Sequence, residues 1–74
     1  RMPRVEVDKL ATMRVGARIL WVRVRDISQG GVKVETEATL GEGDDIVLSL
    51  EGLRALPGTI RWHRSGMAGV TFHQ

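Results

Sequence analysis

The groups best suited to binding chemistry lie in the first half of the chain: Arg1 and Arg4, then Asp26-x-Ser28-x-x-Gly31 within the run Asp26-Ile27-Ser28-Gln29-Gly30-Gly31. A guanidinium fork pairs bidentately with a phosphate or with two adjacent acceptors on a planar group. A carboxylate such as that of Asp26 accepts from N–H donors, and the Ser28 hydroxyl accepts or donates as required. Gly31, with Gly30 beside it, relaxes the turn and lets a ligand come close to the backbone. The same Asp and Ser would also suit an ordinary hairpin loop, because both side chains bond locally to turn amides. Their occurrence together with the arginines is what favours binding.

Catalysis and metal chemistry have no comparable foundation. The chain lacks cysteine, and His63 and His73 stand ten positions apart with no carboxylate between them or close to either, so zinc ligation is not expected. No nucleophile–base constellation or phosphate-cradling P-loop is present, and the expectation is a non-enzymatic domain with no cofactor. Seventy-four residues make one small domain, able to bury only about 60% of its unfolded surface. No apolar run approaches the roughly 20 residues of a membrane span, so a cytoplasmic domain without direct membrane insertion is expected.

The net charge of +2 conceals an uneven distribution. Residues 1–33 hold eight cationic side chains against Glu6, Asp8 and Asp26, leaving +5, whereas the remainder holds Arg54, Arg61 and Arg64 against six carboxylates, leaving −3. The amino-terminal half therefore suits an anionic ligand, but a uniformly basic nucleic-acid binder would look different.

The elements that must position these groups are strands. Val22 and Val24 alternate with Arg23 and Arg25, predicting a strand over about residues 13–25 with apolar groups on one face. Arg23 and Arg25 on the other face are expected mainly to solvate it. Val32–Thr36 repeats the alternation, and the turn formers between predict a hairpin. Residues 46–51 read as a third strand entered through a polar, glycine-rich loop, and residues 54–64 as a fourth, with Pro57 confining its start to an edge or a bulge. Ser65-Gly66 turns the chain into a last strand over residues 67–72. Trp21 and Trp62 are expected in the core or at the barrel rim, and His63 on the outward face. Residues 1–9, with Pro3 and little apolar content, are expected to form a mobile ligand-binding segment ahead of a barrel over residues 13–72.

The arginines at the start, the Asp26-x-Ser28-x-x-Gly31 turn, Gly58-Thr59-Ile60-Arg61-Trp62 and Gly69-Val70-Thr71-Phe72 together resemble the PilZ family along the whole chain. In that family an R-x-x-x-R motif and a [D/N]-x-S-x-x-G motif clasp cyclic di-GMP on the outside of a small barrel. The resemblance implies an all-β fold, a small antiparallel β-barrel of about five to six strands (PilZ-like split barrel) with the carboxy-terminal helix absent or truncated. It implies cyclic di-GMP as ligand, held by Arg4, Asp26, Ser28 and Gly31 with Arg1 and Gly30. The implied partner is a downstream protein effector or fused output domain, and no nucleic acid is expected. In one respect the chain departs from the pattern: counted back from Arg4, the first arginine of R-x-x-x-R falls one place before Arg1.

Two other readings stand beside this one. A small nucleic-acid-binding barrel would explain the arginines, though not the acidic second half or the scarcity of aromatic side chains for stacking. A PilZ-like protein-interaction domain without nucleotide binding would usually lack Arg4, Asp26, Ser28 and Gly31, which are present here.

Overall fold

Alternation of apolar and polar side chains produces six antiparallel strands and no helix among residues 5–73, the part of the chain that the computed structural model describes. They are β1 (Val5–Val15), β2 (Arg18–Ile27), β3 (Gly31–Glu35), β4 (Asp45–Ser49), β5 (Leu56–Arg64) and β6 (Met67–Phe72). Their spatial order is β1-β2-β3-β6-β5-β4, and β1 pairs again with β4 to close the barrel. Closure gives every strand a paired neighbour on each side within one small chain, β4 meeting β1 over Thr12–Val15.

The inward positions are filled as the sequence pattern requires. Met13, Val22, Val24, Val34, Leu48 and Ile60 are fully buried. Leu40 and Leu50, from the connections flanking β4, complete the same cluster. With no disulfide, this apolar packing is the main stabilising force, at about 1.5–3 kcal/mol per large side chain removed from water.

Two boundaries differ from the sequence expectation. The single strand anticipated over residues 13–25 is two strands, because Gly16 takes a left-handed φ of 61° and the chain reverses at Gly16-Ala17. The barrel also starts at Val5 and not near residue 13, so residues 5–9 of the anticipated amino-terminal segment belong to β1, where Val5 and Glu6 pair with Ile27 and Asp26. Ladder hydrogen bonds to β2 compensate for the sparse apolar content there. Arg1 and Arg4 lie outside the described residues. Pro57, expected at an edge or bulge, occupies the second position of β5 opposite Val47 in the closed barrel, and its carbonyl accepts from the His73 amide at 2.9 Å.

The β5–β6 hairpin turns through Ser65 and Gly66, both with positive φ (54° and 75°), as a two-residue type I′ loop demands. Serine is strained in that conformation and asparagine is not. Ser65→Asn is expected to raise stability by about 0.5 kcal/mol and the melting temperature by about 2–4 °C; a thermal melt with unchanged or lower midpoint would contradict this account of the turn.

Candidate functional site

Along β2, Leu20, Val22 and Val24 face the interior, and strict alternation would send the Asp26 carboxylate inward after them. A register shift between Val24 and Asp26 prevents this. One extra residue flips the parity, and Asp26 emerges on the outer surface beside Lys33. On β5 a shift between Ile60 and Trp62 does the same for the indole, so that Arg61 and Trp62 both lie outside. A third shift lies on β1 between Glu6 and Lys9. The three irregularities flank one cross-strand row over five strands: Glu6, Asp26, Lys33, Gly69 and Trp62.

Within this row Asp26 has a carboxylate neighbour, Glu6, on one side, and on the other the Lys33 ammonium, 3.1 Å from its Oδ2. Asp26 is the more enclosed member of the pair, with 15% of its side chain exposed against 37% for Lys33. The indole of Trp62 lies against the Cα of Gly69, where any Cβ would collide with its pyrrole edge. Arg64 places its guanidinium carbon 5.0 Å from the Trp62 ring centroid, within range of a cation–π contact. Arg61 Nε donates to Thr71 Oγ1 at 3.2 Å.

Between the Ser28–Gly31 turn and Trp62 the surface sinks into an open depression of about 640 Å³, a size ordinary for small-molecule sites. Lys33, Arg61 and Arg64 line it, with Ser28, Gly30, Gly31 and Thr71, and among the described residues no carboxylate does. The arrangement offers three cations, an aromatic face and a hydroxyl to an anion carrying a planar group. A neighbouring depression is lined by Glu6, Arg25, Asp26 and Glu35, and among the described residues Lys33 is the one that borders both.

The turn is held by its own bonds. The Ser28 amide donates to the Gly31 carbonyl at 2.9 Å, and its hydroxyl reaches the same oxygen at 3.4 Å. The Gly30 carbonyl accepts from the Phe72 amide at 2.9 Å. A side chain at Gly31 would strike the Val70 carbonyl oxygen, so it is the close passage of β6 that demands glycine here.

Of the residues singled out by sequence, Asp26, Ser28, Gly30 and Gly31 thus stand together at one end of the β2–β3 hairpin. Arg23 and Arg25 are engaged elsewhere: Arg23 meets Asp8 at 2.7 Å, and Arg25 lies 3.7 Å from both Asp8 and Glu35. The hydrogen bond from the Arg23 guanidinium, with the charge of both arginines, holds the Asp8 carboxyl below its ordinary range despite some desolvation. Trp21, expected in the core or at the rim, is 70% exposed on the outer face opposite Thr12, because β2 alternation puts Leu20 and Val22 inside. His63, expected outward, is carried by the β5 bulge to a half-buried place opposite Ala68, with Nδ1 3.2 Å from the Leu40 carbonyl. Sequence reasoning passed over Lys33, Arg61 and Arg64; the signal for the last two was the bracketing of Trp62 by arginines.

A family model, described as PilZ domain, matches residues 1–74. A search of the curated proteins finds no match. Fourteen solved chains match, among them the PilZ domain of CeSA from a cellulose-synthesizing bacterium, 20% identical with a TM-score of 0.82, the match covering 97% of this chain and 81% of that one.

The constraint on Gly31 is testable without any ligand. Gly31→Ala is expected to cost about 2 kcal/mol or more, lowering the melting temperature by roughly 10 °C, since backbone and not a flexible side chain blocks the new methyl. Ser28→Ala, which loses only a long hydroxyl bond, should cost under about 1 kcal/mol. Equal melting of Gly31→Ala and the parent chain would show that β3 and β6 do not approach as described.

Proposed function

Because the chain belongs to the PilZ family, whose domains are generally cyclic di-GMP receptors, we propose that this domain binds cyclic di-GMP on the outer face of β3, β6 and β5 and acts as a regulatory module, not as an enzyme. The observation that carries the reading is the depression lined by Lys33, Arg61 and Arg64, with no carboxylate among the described residues that line it, and bordered by Ser28, Gly30 and Gly31 of the turn.

The chemistry of the ligand fits these groups. Its two phosphodiesters are complements for the arginines, with the bidentate geometry that a guanidinium supplies. One guanine presents N1 and N2 donors to the Asp26 carboxylate, and Ser28 supplies a further polar contact. Trp62, backed by Gly69, carries the Arg64 guanidinium over its ring, and a base stacks on that guanidinium or takes its place on the indole. Arg4, with Arg1, closes over the ligand from the amino-terminal side; this part rests on the sequence motif. The bound domain would then act on a protein effector or a fused output domain.

Calorimetric titration tests the reading. Cyclic di-GMP should bind with Kd below about 100 μM, near −5.5 kcal/mol, and cyclic di-AMP far more weakly, because adenine presents a donor where guanine has O6. Arg4→Ala, Asp26→Ala and Trp62→Ala should each weaken binding about tenfold or more, corresponding to the roughly 1.5–3 kcal/mol of a charge-assisted bond or a stacked base. Melting curves of each variant separate lost contacts from lost fold. Absence of heat with the parent protein, or equal affinity for the two dinucleotides, would refute selective guanine recognition.

A further inference from the structure

Lys33 is the residue at which the Asp26 carboxylate and the cation-lined depression meet. Its ammonium is 3.1 Å from Asp26 Oδ2, and among the described residues it alone borders both the depression containing Asp26 and the one containing Arg61, Trp62 and Arg64. Asp26 thus already has a cationic partner before any ligand arrives. A guanine edge that binds this carboxylate through N1 and N2 competes with the ammonium for the same oxygens.

We propose that Lys33 is a specificity-determining residue that works by exchange: guanine displaces its ammonium from Asp26, and the freed ammonium turns into the neighbouring depression to meet a phosphodiester. This inference rests on the cyclic di-GMP reading above and adds a coupling to it. The four-carbon stem of lysine makes the swing accessible without backbone movement, and Lys33 already lines the depression into which it turns, beside the Trp62 indole that covers the Cα of Gly69, its β6 partner. Charge is conserved through the exchange. The ammonium trades a carboxylate for a phosphodiester, and Asp26 trades an ammonium for two neutral donors and is left facing Glu6 across the ladder. A ligand with phosphates but no guanine cannot open the pair, so it forfeits the lysine as well as the base contact. Discrimination thereby exceeds what the base contact supplies by itself.

The test uses the intact chain with ¹³C- and ¹⁵N-labelled lysine, read by NMR at the Lys33 side chain, together with calorimetry of Lys33→Met and Lys33→Gln. In the free protein, Asp26→Asn should shift the Lys33 resonance, reporting the pair. Saturating cyclic di-GMP should shift it as well, whereas cyclic di-AMP or inorganic phosphate at millimolar concentration should leave it in place. Both lysine variants should bind cyclic di-GMP about tenfold more weakly at low salt, and the gap from the parent should narrow as salt rises. If the parent gives no heat with cyclic di-GMP, the functional reading itself fails. If the parent binds but the lysine variants bind equally well, or inorganic phosphate moves the resonance as far as cyclic di-GMP does, the exchange is overturned and the receptor reading stands.

Discussion

A β-strand alternates its side chains with a period of two, and the surface described here exists only because that rule is broken at chosen places. Counting from Val22 and Val24, Asp26 has core parity; counting from Ile60, so does Trp62. Without the shifts on β2 and β5, a carboxylate would be driven among valines, at a cost of several kcal/mol unless it were neutralised or paired. The bulges convert both residues to outward ones and align them in a single row with Lys33 and Gly69. A bulge also adds local twist, which serves a sheet that must close on itself with six strands.

Closure places a second demand on β3, β5 and β6. The β6 backbone runs so close to its neighbours that Gly31 has no room for a Cβ beside Val70, and a Cβ at Gly58 would stand 2.7 Å from the Thr71 carbonyl oxygen. The glycine of the Asp26-x-Ser28-x-x-Gly31 turn is therefore fixed by barrel packing before any ligand is considered. Fold and site share the residue, so an affinity change in a Gly31 variant carries no information about ligand contact unless stability is measured with it. Ser28 and Asp26 differ in this respect, since both face outward only partly buried, Ser28 with its hydroxyl 3.4 Å from the Gly31 carbonyl and Asp26 paired with Lys33.

The division between what could and could not be read from sequence follows the same lines. Alternation at Val22–Arg25 and Val32–Glu35 and the turn formers between them sufficed for the β2–β3 hairpin, and Ser65-Gly66 marked the β5–β6 reversal, because these signals are local. The reversal at Gly16 was missed: Arg14-Val15-Gly16-Ala17-Arg18 contains one flexible residue between β-prone stretches, and a lone glycine in a strand pattern signals a bulge as readily as a turn. Bulge positions were invisible because they are settled by the partner strand, and every misplacement on β5 follows from that. Trp62 was assigned to core or rim and His63 to the surface, when one inserted residue exchanges their faces. Trp21 was misjudged for a different reason. Its outward parity is legible from Val22 and Val24, and here strand position overrides the general tendency of tryptophan to be buried.

Charge shows how far a one-dimensional count falls short of a site. The amino-terminal half is basic and the remainder acidic, yet two of the three cations lining the depression, Arg61 and Arg64, come from the acidic half. Part of the basic half is meanwhile neutralised, as Arg23 and Arg25 meet Asp8, Arg25 also meets Glu35 of the acidic half, and Lys33 meets Asp26. What decides the local potential is which strands closure makes neighbours: β3 lies beside β6, and β6 beside β5, so Lys33 and Arg64 converge although 31 positions separate them in sequence. Lys33 is paired with Asp26 at the border of that depression, whereas Arg61 and Arg64 meet no carboxylate among the described residues, and in a partly enclosed surface their attraction for an anion is stronger than in bulk water. An anionic ligand can exploit that field only by tolerating or displacing the one cation already committed, and the commitment of Lys33 to Asp26 is what makes the order of contacts matter.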